Sequence, residues 1–145
     1  MITSARVPAR GARVLVIEDD RDTALLFCSL LEVAGFNARP LSNAKGAAQA
    51  MLDADITAVI VSLSRSGIDA VTSLVTSLRR RPEPALRDAA LVALVDDDFD
   101  LFFGLGAEAD ASLIRPISPD RLIDAVTEAA ATHPTARRAR LTSTR

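Results

Sequence analysis

Cysteine is nearly missing from this chain: Cys28 is the only one in 145 residues, and it stands within an apolar run. A lone thiol excludes a disulfide framework and fits a reducing compartment. Histidine is equally scarce. His133, the single one, lies toward the C-terminal end and reads as a solvated side chain, and no Cys/His spacing of the metal-binding kind occurs. The six glycines form no phosphate-cradling loop, and there is no internal repeat. The longest apolar run, around Ile56 to Leu63, falls far short of a membrane span. The N-terminal stretch carries arginines where a signal peptide would be apolar. These absences predict a soluble, cytoplasmic protein with no cofactor and no membrane partner.

What is present is a core and an uneven charge. With 49% hydrophobic residues, a chain of this length makes one domain that needs no staples. The formal net charge of −2 conceals two basic ends. Residues 1 to 13 hold Arg6, Arg10 and Arg13 without an acid, and from Thr132 onward Arg137, Arg138, Arg140 and Arg145 stand without one. Between them lie 10 basic and 19 acidic residues, a body of −9. The expected organisation is a flexible basic arm over 1–13, a domain over 14–131 and a basic, disordered tail over 132–145. Only one of the 17 basic residues is lysine, and arginine makes forked contacts to phosphate and carboxylate that lysine cannot.

The chain is organised around VLVIEDD, Val14 to Asp20. Four apolar residues running into three carboxylates predict a buried strand ending at a polar mouth. Asp20 or Asp22 can cap a helix running to about Ala34, stopped by Gly35. FNARPL, Phe36 to Leu41, predicts an edge strand, and Ser42 with Asn43 caps a small helix to Leu52. ITAVIVS, Ile56 to Ser62, is β-branched and uncharged, hence a central strand. Ile68, Val71, Leu74, Val75 and Leu78 recur at helical spacing, with Arg79, Arg80 and Arg81 in the last turn and Pro82 and Pro84 as the stop. Ala89 to Val95 is another buried strand. A fourth helix bearing Phe99, Leu101, Phe102, Phe103 and Leu105 follows, then a fifth strand, Ala111 to Ile114. Ser118 and Pro119 open a last helix to about Ala131. Five alternating pairs predict an α/β fold with a parallel sheet and right-handed crossovers. Ligands of such sheets sit beyond the carboxyl ends of the strands, where Glu18, Asp19, Ser62, Asp96 and Arg115 collect.

Three segments carry a family likeness: VLVIEDD, SGIDAVTSLVTSLRRRPEPALRD and GAEADASLIRPISPDRLIDAV. Over roughly Arg13 to Ala131 the chain resembles the CheY-like receiver domain of bacterial two-component response regulators, a flavodoxin-like (βα)5 fold. The resemblance implies a Mg²⁺-binding acid pair at Glu18 and Asp19, and places Ser62 where the family has its phosphorylated aspartate. Val95 falls at the family's Thr/Ser position with Asp96 after it, Ser112 at the aromatic switch, Arg115 at the lysine and Pro116 at the proline often preceded by a cis bond.

Each departure has a consequence. Without a carboxylate at position 62 no acyl phosphate forms, and a serine with no adjacent general base is a poor nucleophile. Val95 offers no hydrogen bond to a phosphoryl oxygen, and Asp96 adds like charge worth on the order of a few kcal/mol in a partly dry site. Arg115 is expected to bridge Glu18 and Asp19 and so stand in for the metal. Phosphorylation of Ser62 by a Ser/Thr kinase is disfavoured by its place at a strand end facing a pocket.

The function expected is that of a non-enzymatic pseudo-receiver, an interaction module docking a signalling protein or itself through Phe99, Phe102, Phe103 and Leu105 with the last helix. No output domain is expected after the short tail. The alternative is a sensor of cyclic di-GMP using Arg137, Arg138 and Arg140, with Arg79 to Arg81 and Arg6 and Arg10 as further candidates. Nucleic-acid binding by the tail is opposed by the acidic body.

Overall fold

The computed structural model describes residues 11–97 and 108–132. Within them five parallel strands form one sheet: β1 (Arg13–Ile17), β2 (Asn37–Leu41), β3 (Ile56–Val61), β4 (Ala90–Val95) and β5 (Ala111–Ile114). Their order, β2-β1-β3-β4-β5, is that of the flavodoxin-like fold, with its reversal between β1 and β3. The helices are α1 (Arg21–Val33), α2 (Ala47–Asp53), α3 (Ile68–Arg79), α4 (Pro84–Arg87) and α5 (Pro119–Ala131).

Strand alternation divides the core into two layers. Leu15, Ile17, Val59, Val61, Leu91, Ala93 and Val95 face α2, α3 and α4. Val14, Val16, Ala58, Ile60, Ala90, Val92, Leu94 and Leu113 face α1 and α5. Both faces being covered, the central strands can be apolar without a break, and every residue of β4 is buried. Cys28 lies in the second layer, where burial, and after it the Glu32 charge, push its thiol pKa up.

Local signals set the helix ends. Asp20, not Asp22, caps α1, its carboxylate accepting from the Thr23 amide at 3.1 Å and the Thr23 hydroxyl at 2.6 Å. Gly35 ends α1 at φ 102°, a left-handed conformation suited to glycine. Ser118 caps α5, whose first residue is Pro119. Asn43 caps a short 3-10 turn, Ala44–Gly46, so the second helical segment starts more tightly wound than expected and becomes α-helical only at Ala47.

The arginine run at the end of α3 departs from the sequence reading. The helix stops at Arg79 with Arg80 as its C-cap, and Pro84 begins the unanticipated one-turn α4. Proline there starts a helix because the first helical N–H needs no partner. Arg79 does more than complement the helix dipole. Its guanidinium donates to the carbonyls of Glu108 at 2.7 Å, Ala89 at 2.6 Å and Arg87 at 3.1 Å, and pairs with Asp110 at 3.0 Å. Asp110 in turn accepts the Leu91 amide at 2.7 Å, so one side chain ties α3 and α4 to the entries of β4 and β5. The fourth helix and the face expected on it, Phe99, Phe102, Phe103 and Leu105, lie outside the described residues.

Removing the Arg79 fork strips three carbonyls of their donor and leaves Asp110 without this partner. Arg79→Ala is expected to lower stability by about 2–4 kcal/mol in urea unfolding, and Arg79→Lys to recover only part, since a point charge cannot serve four acceptors in a plane.

Candidate functional site: an acid pair under a serine ladder

At the carboxyl end of the sheet β1 delivers Glu18 and Asp19, and β3 delivers Ser62 and the loop to α3. Glu18 is 1% exposed and Ser62 wholly buried, the two buried polar residues among those described. A buried carboxylate must be supplied with donors. The Ser62 hydroxyl donates to Glu18 Oε1 at 2.6 Å. Glu18 Oε2 accepts the Ser64 hydroxyl at 2.7 Å and the Asp20 amide at 2.8 Å, with a longer contact from the Ser64 amide at 3.4 Å.

Asp19 is held from the same loop. Its Oδ1 accepts the Arg65 amide at 2.9 Å, and its Oδ2 accepts the Ser66 hydroxyl. Arg65 extends the closure to Asp20, pairing with it at 2.9 Å. Alternate residues of S-L-S-R-S, 62 to 66, thus set three hydroxyls on the acid pair. Burial is the largest single influence on Asp19 and pushes its pKa up. The Ser66 hydroxyl and Arg65 amide, with smaller help from Glu18 and the Ser66 amide, outweigh it and hold the pKa to about 2.

The sequence reading passed over Ser64 and Arg65 and took Ser66 only as part of a family segment. Period-two serines leaving a strand were the available signal, since such residues face the same way.

Arg115 does not bridge Glu18 and Asp19. The β4–β5 register sets Val95 beside Ile114, so Asp96 is the next neighbour of Arg115, and their side chains pair at 2.9 Å. The other Arg115 nitrogen donates to the Ser62 carbonyl and, at 2.7 Å, to the Ser62 hydroxyl oxygen. With strands about 4.8 Å apart, the side chain crosses β4 and stops at β3, one strand short of the acid pair. Nor does Ser62 lack a neighbouring base: Glu18 already accepts its hydroxyl hydrogen. That hydroxyl is enclosed between a carboxylate and a guanidinium.

Val95 is 2% exposed and faces the α3 layer. With Leu63, Gly67, Ile68, Val71, Leu94, Asp96 and Arg115 it lines a void of about 10 Å³, one water at most. The Asp96 side chain is 61% exposed and ion-paired, so its charge is answered by Arg115 and not left bare at an entrance. Ser112 is half-buried in β5, opposite Ala93, and Arg115–Pro116 is a cis peptide. Arg137, Arg138 and Arg140 lie outside the described residues. Arg79, the first of the three-arginine run, is committed to the carbonyl clamp.

A hard divalent cation needs about six oxygens, several of them anionic. All four carboxylate oxygens of Glu18 and Asp19 already accept hydroxyl or amide hydrogens. Among the described residues no group of three or more His, Cys, Asp or Glu side chains could hold a metal ion. The donor set does not fit the cation of the receiver site.

No protein-family profile matches the chain. It is 27% identical over 115 residues to the transcriptional regulatory protein GltR of Pseudomonas aeruginosa, covering 79% of this chain and 47% of that protein. The chain therefore spans about half the length of the curated relative it matches. A response regulator receiver domain (CheY-like) from Methylobacillus flagellatus superposes with a TM-score of 0.69 at 26% identity, covering 82% of this chain and 98% of that one. A sensor protein from Polaromonas sp. JS666 gives 0.71 at 27% identity, over 82% and 95%. Strand order, the acid pair at the end of β1 and these likenesses give the chain the fold of the CheY-like receiver domains of response regulators. Receiver domains are in general signalling modules, not enzymes. No helix among the described residues is long and apolar enough to cross a membrane.

Asp19 gives the ladder a pH signature. Its pKa is depressed in the folded chain from an ordinary 3.8 to about 2, so its contribution is whole above the unfolded value and is lost as pH falls through the folded one. Stability should therefore decline between roughly pH 4 and pH 2, and Asp19→Asn should flatten that decline in urea titrations at stepped pH.

Proposed function

We propose that this receiver domain acts without aspartyl phosphorylation, as a protein interaction module of a two-component-type system. One observation carries the reading: at the position of the phosphorylated aspartate, Ser62 is wholly buried, with its hydroxyl held between Glu18 and Arg115. A phosphoryl group has no carboxylate to join at position 62, and on the Arg115 side the void is only about 10 Å³, while the acid pair itself opens on a groove of about 470 Å³. The acid pair and the arginine are the retained ends of a phosphorylation site whose middle is closed.

A module that is not switched by its own chemistry signals by what it binds. The contact surface we assign is the segment holding Phe99, Phe102, Phe103 and Leu105 together with α5. Three of the chain's five phenylalanines fall there, and apolar residues gathered in one segment are what a partner's surface buries.

Incubating the full chain with acetyl phosphate and Mg²⁺, or with beryllofluoride and Mg²⁺, is expected to leave its mass and the amide resonances of residues 62 to 66 unchanged. A covalent phosphoryl adduct, or a concerted shift of those resonances, would sink the proposal. Ser62→Asp sets a third carboxylate against Glu18. It is expected to lower the melting temperature in chelator and to regain part of the loss when Mg²⁺ is added.

A further inference from the structure

Helix α5 carries its acids on one line. Asp120, Asp124 and Glu128 recur at every fourth residue, about 6 Å apart along the axis, and all three are exposed. Among the described residues no ion pair or side-chain hydrogen bond engages any of them. Like charges at this spacing repel and weaken a helix. The last turn of α5 holds no basic residue, so nothing within the helix answers the negative end of its dipole.

Beside Glu128 lies a groove of about 440 Å³, formed where the last turns of α5 meet the start of β5. Ala111, Ala125 and Ala129 are in its lining, small side chains that leave room for an extended backbone. Asp110 lines it too, but is already paired with Arg79. Thr132, the last described residue before the C-terminal segment, is itself part of the lining, so the chain leaves the domain from within the groove.

The sequence after Thr132 is HPTARRARLTSTR, with four arginines and no acid. Pro134 opposes continuation of the helix. In extended chain, with its period of two, Arg138 and Arg140 share one side about 6.6 Å apart. That interval matches the one between successive acids of α5.

We propose that residues 133–145 dock on the chain they belong to, running back along α5 through this groove with Arg138 on Glu128 and Arg140 on Asp124. Reach permits it. From Thr132 to Arg138 extended chain spans up to about 20 Å, whereas Glu128 is only about 6 Å back along the axis, which leaves slack for the reversal. Attachment selects the occupant, because a segment tethered this closely is present at an effective concentration of the order of millimolar. Exposed ion pairs are individually weak and screened by salt, so the docking rests on several together.

The test is ¹⁵N relaxation of the full chain at low salt. Amide order parameters of residues 137–141 are expected above about 0.6, the bound below which backbone is flexible, and should fall below it in about 1 M NaCl. Asp124→Lys with Glu128→Lys should release the segment, Arg138→Glu with Arg140→Glu should release it too, and the four substitutions together should recapture it. Both helix positions are exposed, so circular dichroism melts should show folded chains throughout. Flexible 137–141 amides in the wild type, order indifferent to salt or to the two reversals, or a fourfold exchange that fails to restore order would each overturn the proposal. Order that grows with protein concentration would overturn it as well, since the groove would then hold the segment of a second copy.

Discussion

The carboxylate of Glu18 sets the terms for one end of this molecule. It is buried at the close of β1, and a carboxylate so placed is tolerated only when its oxygens are supplied with donors. An unsatisfied buried group costs about 1–3 kcal/mol, more when charged, against a total stability of about 5–15 kcal/mol for a domain. Meeting that demand draws in the hydroxyls of Ser62 and Ser64 and the amide of Asp20. The same loop residues then satisfy Asp19, and Arg65 pairs with the residue that caps α1. The start of α1, the end of β3 and the approach to α3 are thus fixed by one charge.

Across the sheet, Arg115 solves a second problem separately. The register that seats it beside Asp96 also limits its reach, and it answers the Ser62 carbonyl and hydroxyl without arriving at Glu18. Ser62 is the point where the two arrangements meet, donating to one side and accepting from the other. A hydroxyl can do both at once, whereas an ionised carboxylate only accepts. Serine is therefore suited to closing this gap in a way that an aspartate is not.

The fold was legible because two periodicities coincide with it. Unbroken β-branched runs mark β3 and β4, and helical spacing marks α3 and α5. Caps were legible too where a short polar side chain precedes an apolar run, as at Asp20 and Ser118. The identities of the pocket residues could be read from position along the strands, but not which partners they choose. Partner choice for Arg115 depends on sheet register and strand spacing, neither of which is local in sequence. The serine ladder was visible as alternation, but Ser64 was passed over and Ser66 counted only within a family segment. Arg79 went the same way: three successive arginines look like a solvated helix end, and only the tertiary position of the Glu108–Asp110 segment singles out the first of them.

Helix α3 is moored at both ends. Its leading end follows directly on the serine loop fastened to the acid pair, with Gly67 at φ 86° making the turn into the helix. Its trailing end is fastened by Arg79 to the carbonyls before β4 and β5. Twelve residues at 1.5 Å each make a strut of about 18 Å between these moorings. A rod pinned in this way cannot slide or roll unless one anchorage is given up. The layer that covers β3 and β4 is consequently a braced panel, and whatever docks against this domain meets a surface set during folding.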